Sequence, residues 1–137
     1  RQGFKIITLD GREDILARVG LPSRHRLGRY GIDVDAVERT AVPAVYQALE
    51  KGGLVVIDEV GKMELLSPAF IEALHAVVDS RQPLLATLLL GYHPEVDKLM
   101  EHPEAHVWQV TINNRNHLVH QLLALLKQAV QQPSPSS

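Results

Sequence analysis

Leu54-Val55-Val56-Ile57-Asp58-Glu59 runs four apolar residues into two adjacent carboxylates. A short, wholly apolar run after the helix-ending pair Gly52-Gly53 predicts a central parallel strand, covered on both faces. Adjacent side chains on a strand point to opposite sides, so Asp58 and Glu59 are free to do different jobs. At the C-terminal edge of a parallel strand, one acid can position Mg²⁺ while its neighbour orients or deprotonates water. That is the form of a Walker B segment. Many strands end in acids for solvation alone, and both readings stand at this point.

The neighbouring sequence supports an alternating α/β chain. Asp35 with Glu38 three residues on has capping-box spacing, and Val37, Ala41, Val45, Ala48 and Leu49 recur at helical intervals. A helix is predicted over Ala36–Lys51, with Pro43 as its defect. Ser67-Pro68 starts another helix, with Phe70, Leu74, Val77 and Val78 on its buried stripe. Further strands are predicted at Leu84–Leu89 and Val107–Thr111, and helices at Pro94–His102 and Leu118–Val130. Trp108 would anchor the last strand in the core. From Ala36 onward the order is helix–strand–helix–strand–helix–strand–helix, the pattern of parallel strands joined by right-handed crossovers. Ligands in such folds sit beyond the C-terminal strand ends. Before it, Phe4–Leu9 and Ile15–Val19 flank the Asp10-Gly11 turn, and Arg29–Val34 forms a short strand: an antiparallel extension. The polar, proline-broken Gln131–Ser137 reads as a disordered tail.

Composition narrows the function. The 137 residues are 45% hydrophobic and 22% charged, which suits one globular domain. With 14 basic and 16 acidic residues the net charge is -2, which argues against a nucleic-acid coat or a polybasic membrane tether. There is no cysteine, and so no disulfide, thiol nucleophile or Cys-based zinc site. No apolar run reaches membrane-spanning length, and no signal peptide is visible, so a cytoplasmic protein is the default. Seven basic residues precede Tyr30, either as a solvated face or toward an anionic ligand. His102 and His106 are four apart, but Pro103 lies between them, so surface histidines fit better than a metal pair.

After the acid pair come Gly61-Lys62-Met63-Glu64. Gly61 lets backbone approach phosphate, Lys62 can neutralise a nucleotide oxygen, and Glu64 can anchor Lys62 or water. Equally, Lys62 and Glu64 are ordinary loop residues, and Met63 reads as packing. Val56 through Leu65 resembles the signature segment of the small nucleoside-triphosphatase family typified by thermophilic NTPases and the cancer-related nucleoside-triphosphatase. Three more segments agree in order: Gly3-Phe4 through Gly11, Gly28–Asp33 followed by Glu38 and Pro43, and Asn114-Arg115-Asn116-His117-Leu118. The resemblance covers roughly Gly3–Val130.

It implies a P-loop fold that hydrolyses NTPs, ATP and GTP included, to NDP and phosphate with Mg²⁺. Asp58 would position the metal and Glu59 would be the general base. Thr87 would sense the γ-phosphate, or simply fill its strand. Arg115 would face the phosphates, and Asn114 would bond a base or hold Arg115. Lys62 would complete the nucleotide contacts. An acid commonly precedes the Asn-Arg pair in the family; here it is Asn113.

No Gly-x-x-x-x-Gly-Lys-Ser/Thr loop occurs within the sequence, and it opens at Arg1 without Met. The expectation is an incomplete P-loop domain over residues 1–130, with its first strand and phosphate loop before Arg1. These residues alone would be inactive, and a truncated sheet edge would favour self-association. A non-catalytic nucleotide-binding or interaction module and a small-molecule or nucleotide kinase are the rival functions.

Overall fold

A computed structural model describes residues 1–131. The predicted tail lies outside the described residues except for Gln131, which ends the last helix. Strands β1 (Gly3–Ile7) and β2 (Glu13–Val19) form the expected hairpin. Its turn is held by Thr8, whose hydroxyl donates to Asp10 and accepts the Arg12 N–H at 2.9 Å. With β3 (Arg26–Leu27) and β4 (Tyr30–Ile32) the hairpin makes an antiparallel sheet in the order β1-β2-β4-β3.

The next helical stretch is not one regular helix. A short α1 (Val34–Ala36) leads into a π-helical turn over Val37–Ala41, and then α2 (Val42–Lys51). The cause is Pro43, which has no N–H to donate and would press its ring on the carbonyl four residues back. Widening the preceding turn relieves that crowding, and Val42 N–H reaches back to Val37 O. The cap also differs from the expected Asp35–Glu38 box. Asp33 is the N-cap, accepting the Ala36 N–H at 3.2 Å, and Glu38 turns elsewhere. Gly52 and Gly53, with φ of 74° and 83°, end α2 in a conformation that other residues resist.

Strand β5 (Val55–Val60) pairs in parallel with β6 (Leu84–Leu88), and α3 (Pro68–Ser80) makes the crossover. Ser67 starts α3 as predicted: its hydroxyl accepts the Phe70 N–H at 3.1 Å. Phe70, Leu74 and Val77 are buried, and Val78 sits at the margin. One core links both sheets, from Leu16 and Ile32 on the antiparallel side to Val55, Phe70 and Leu74 on the parallel side. Each such buried side chain contributes about 1.5–3 kcal/mol relative to exposure.

Four expectations fail. β5 is not covered on both faces: Val55 and Val60 are buried, but Val56 is 45% exposed. Val107–Thr111 is not a strand, because no described strand supplies it with a hydrogen-bond ladder. Trp108 therefore lies at the surface, stacked on His106 at 5.9 Å. The sheet is consequently not mostly parallel; among the described residues the parallel part is the β5–β6 pair. Helices α4 (Pro94–Met100) and α5 (Arg115–Gln131) close the chain. Only Leu118 of α5 is fully buried, while Leu122, Leu125 and Leu126 are half-covered.

Candidate active site

The apolar start of β5 is anchored by the core, and its second half carries Asp58 and Glu59 to the sheet edge. Ladder register runs Ile57↔Ala86 and then Val60↔Leu88, so the acids occupy an irregular step beside Thr87. The Asp58–Glu59 peptide is cis. The two carboxylates have different neighbours. Thr87 Oγ1 donates to Asp58 Oδ1 at 2.5 Å, tying β6 to β5 by side chains where the ladder breaks. Both groups are exposed, so the pair presents oxygen lone pairs to solvent. Glu59 turns toward Gly61.

Gly61 sits between two carboxyl groups. A methyl group built on its Cα would come to 2.8 Å from Glu64 Oε2 and 3.0 Å from Glu59 Oε1. The Gly61 N–H donates to Glu64 Oε2 at 3.1 Å, and its carbonyl accepts the Leu65 N–H at 3.1 Å. Glu64 opens a single 3₁₀ turn, Glu64–Leu66, flanked by buried Met63 and Leu65. Burial pushes the Glu64 carboxyl above its ordinary range. The backbone N–H groups of Glu64 and Gly61 oppose that shift, and the charge of Glu59 adds to it.

Of the alternatives open to Glu64, the pairing with Lys62 does not form: its carboxylate accepts from the Gly61 amide. Lys62 is exposed and makes no ion pair with another described residue. Met63 packs in the core as expected.

Asn114 organises the turn before α5. Its Oδ1 accepts the Thr111 N–H at 2.7 Å, its Nδ2 donates to Gln109 O at 2.9 Å, and its N–H donates to Thr111 Oγ1 at 3.2 Å. Arg115 follows as the first residue of α5, with its side chain exposed. Asp58 is thus joined with Thr87, and Glu59 lies with Gly61 and Glu64. Among the described residues no hydrogen bond or ion pair runs from Arg115 or Asn114 to that group.

One link escaped the sequence reading. Ser67, fully buried, donates to Glu38 Oε1 at 3.1 Å and fastens the π turn to the start of α3. The signal was a polar residue at helical spacing beside Pro43, which a capping pattern had absorbed.

A parallel strand pair joined by an α-helical crossover carries Asp58, Glu59 and Thr87 at one edge, which places the chain in the α/β class. A family model described as NTPase matches residues 1–123. The chain belongs to that family. Nucleoside-triphosphatase THEP1 of Thermotoga sp. (strain RQ2) is 40% identical over 127 residues, covering 93% of this chain and 73% of the relative. The Pyrococcus abyssi protein of the same name is 36% identical over 131 residues, covering 95% and 70%. The crystal structure of THEP1 from the hyperthermophile Aquifex aeolicus superposes with a TM-score of 0.87 at 30% identity, over 93% of this chain and 78% of that one.

Proposed function

We propose that the protein is a Mg²⁺-dependent nucleoside-triphosphatase that converts NTPs, ATP and GTP among them, to NDP and phosphate. The observation carrying this reading is the pair of adjacent acids at the end of β5 with different neighbours: Asp58 accepts from Thr87, Glu59 lies against Gly61, and neither is paired with a cation among the described residues. Relatives named nucleoside-triphosphatases support it.

Asp58 and Thr87 offer hard oxygen donors, which fit Mg²⁺, an ion that takes one or two carboxylates and keeps waters and phosphate oxygens. Asp58 would hold the ion. When bound, it supplies charge neutralisation on the phosphate oxygens. Glu59 acts as general base: its carboxylate accepts the proton of the attacking water as oxygen bonds to the γ-phosphorus and the bond to the NDP oxygen breaks. Lys62 and Arg115 bring positive charge to the phosphates, and the Thr87 hydroxyl lies on the γ-phosphate side. Asn114 contributes by shaping the turn that delivers Arg115. Residues 1–137 include no glycine-lysine phosphate loop, so on their own they turn over slowly if at all.

Among the described residues no helix is long and apolar enough to cross a membrane. A cytoplasmic setting and no nucleic-acid partner fit the lack of cysteine and the net charge. Exposed Val107, Val110 and Ile112 favour self-association at high concentration.

The test is phosphate release by the protein as its gene encodes it, with ATP and GTP, with Mg²⁺ and with EDTA. Mg²⁺-dependent release that Glu59→Gln abolishes while nucleotide binding persists is the expected result. Binding without turnover would establish the binding module, and transfer to an added acceptor in preference to water would establish the kinase.

A further inference from the structure

Among the glycines of this chain, Gly61 is closed in by side-chain carboxyl groups, whereas Gly3 and Gly31, whose φ is not positive either, are closed in by the backbone carbonyls of Ala17 and Leu21. Those at Gly11, Gly20, Gly28, Gly52, Gly53 and Gly91 have positive φ, where a side chain is strained; Gly61 does not. Its backbone would accept any residue. What a side chain would meet is two carboxyl oxygens, Glu64 Oε2 and Glu59 Oε1. Glycine is there for space, and the space belongs to the ends of two acidic side chains. One of them, Glu64, is fixed by a hydrogen bond from the Gly61 amide and by a short turn whose flanking residues are buried. The other, Glu59, makes no hydrogen bond with another described side chain, so Gly61 and Glu64 are what define its place.

We infer that Glu64 is a positioning residue for Glu59: it clamps the Gly61 amide, closes the turn after the acid pair, and walls the bare glycine face against which the Glu59 carboxylate sits. This rests on the hydrolase reading of Glu59. Burial raises the half-buried Glu64 carboxyl, and the nearby Glu59 adds to that shift, so the two side chains share the space beside Gly61. The role asks for an acceptor at the Gly61 N–H and a side chain of this length. It does not ask for a charge, and glutamine supplies both.

The experiment uses the gene-encoded protein and measures kcat and KM for Mg²⁺·ATP alongside circular-dichroism melts. Glu64→Ala should lower kcat about 10- to 100-fold with little change in KM, the loss expected when a reacting group is misplaced. Glu64→Gln should restore kcat to within about 3-fold of wild type, because its amide oxygen still accepts from Gly61. Gly61→Ala should melt like wild type, since only flexible side-chain ends must move, yet lose kcat as Glu64→Ala does. If Glu64→Ala does not fold, the Gln and Gly61 variants decide. Full kcat in Gly61→Ala or Glu64→Ala overturns the inference. So does Glu64→Gln as impaired as Glu64→Ala, which would make the charge itself the requirement. Wild-type protein without turnover overturns the hydrolase reading first, and this inference with it.

Discussion

Two groups of acids in this chain have opposite surroundings. Asp14 and Asp33 share one cation: the Arg39 guanidinium bonds Asp14 from Nε at 2.7 Å and from a terminal nitrogen at 3.0 Å, and reaches Asp33 at 3.1 Å. Thr40 adds a bond to Asp14 at 2.8 Å. Together they lash the π turn to β2 and to the cap of α1. Asp58, Glu59 and Glu64 have no cation within ion-pair distance among the described residues. Their partners are a hydroxyl and a backbone amide. The first group is tied down by a cation of the fold itself. On the proposed function, Asp58 and Glu59 would meet theirs only with the metal and nucleotide bound.

The contrast breaks if neutralising the second group fails to hurt turnover or neutralising the first does. Glu59→Gln carries the largest expected effect, a fall in kcat of about 10²–10⁴-fold, the range for losing a general base, with the melting temperature unchanged. Asp58→Asn comes next: the Mg²⁺ concentration needed for half-maximal phosphate release should rise at least about 10-fold, read from a titration at fixed ATP. Asp14→Asn should leave kcat within about 2-fold and lower Tm by about 4 °C, the equivalent of about 1 kcal/mol in a domain of this size.

The pH dependence of the two groups has opposite sign. The Arg39 guanidinium holds the Asp14 carboxyl below its ordinary range, so its contribution is present above that range and lost as pH falls through the lowered value. The Tm gap between wild type and Asp14→Asn should therefore close in acid. Glu64 is raised by burial, so its ionisation costs stability as pH climbs above the ordinary glutamate range. Glu64→Gln should raise Tm by about 1–2 °C at pH 8, with the gain vanishing in acid. This is the smallest effect, and a loss of Tm at pH 8 would erase the distinction between the groups.

Local signals carried most of what was legible. The hairpin around Asp10-Gly11, the glycine stop at Gly52-Gly53 and the Ser67-Pro68 start each depend on residues a few positions apart, and each stands where expected. Asp58 and Glu59 were recognisable because a strand's apolar run points at its own end. Val107–Thr111 was misread because β-propensity states what a segment tolerates and says nothing of the neighbour that must complete its ladder. The Thr87–Asp58 bond and the Glu64–Gly61 clamp depend on side-chain direction across an irregular register, which no residue pattern encodes. For Glu64 the sequence leaves Lys62, water and an ordinary loop place open, and the fold supplies instead the Gly61 amide three residues back.

The π turn at Val37–Ala41 also sets the angular phase of the helical stretch it interrupts. A wide turn holds one residue more than the α-helix around it. Deleting one residue there would turn the two sides of the cut by about 100° relative to each other. Ser67 holds Glu38 from the α3 side, and Asp14 and Asp33 hold Arg39 from the β2 side, so the two sets of bonds could not both survive the change. The extra residue is the spacer that lets adjacent side chains reach partners in two different directions.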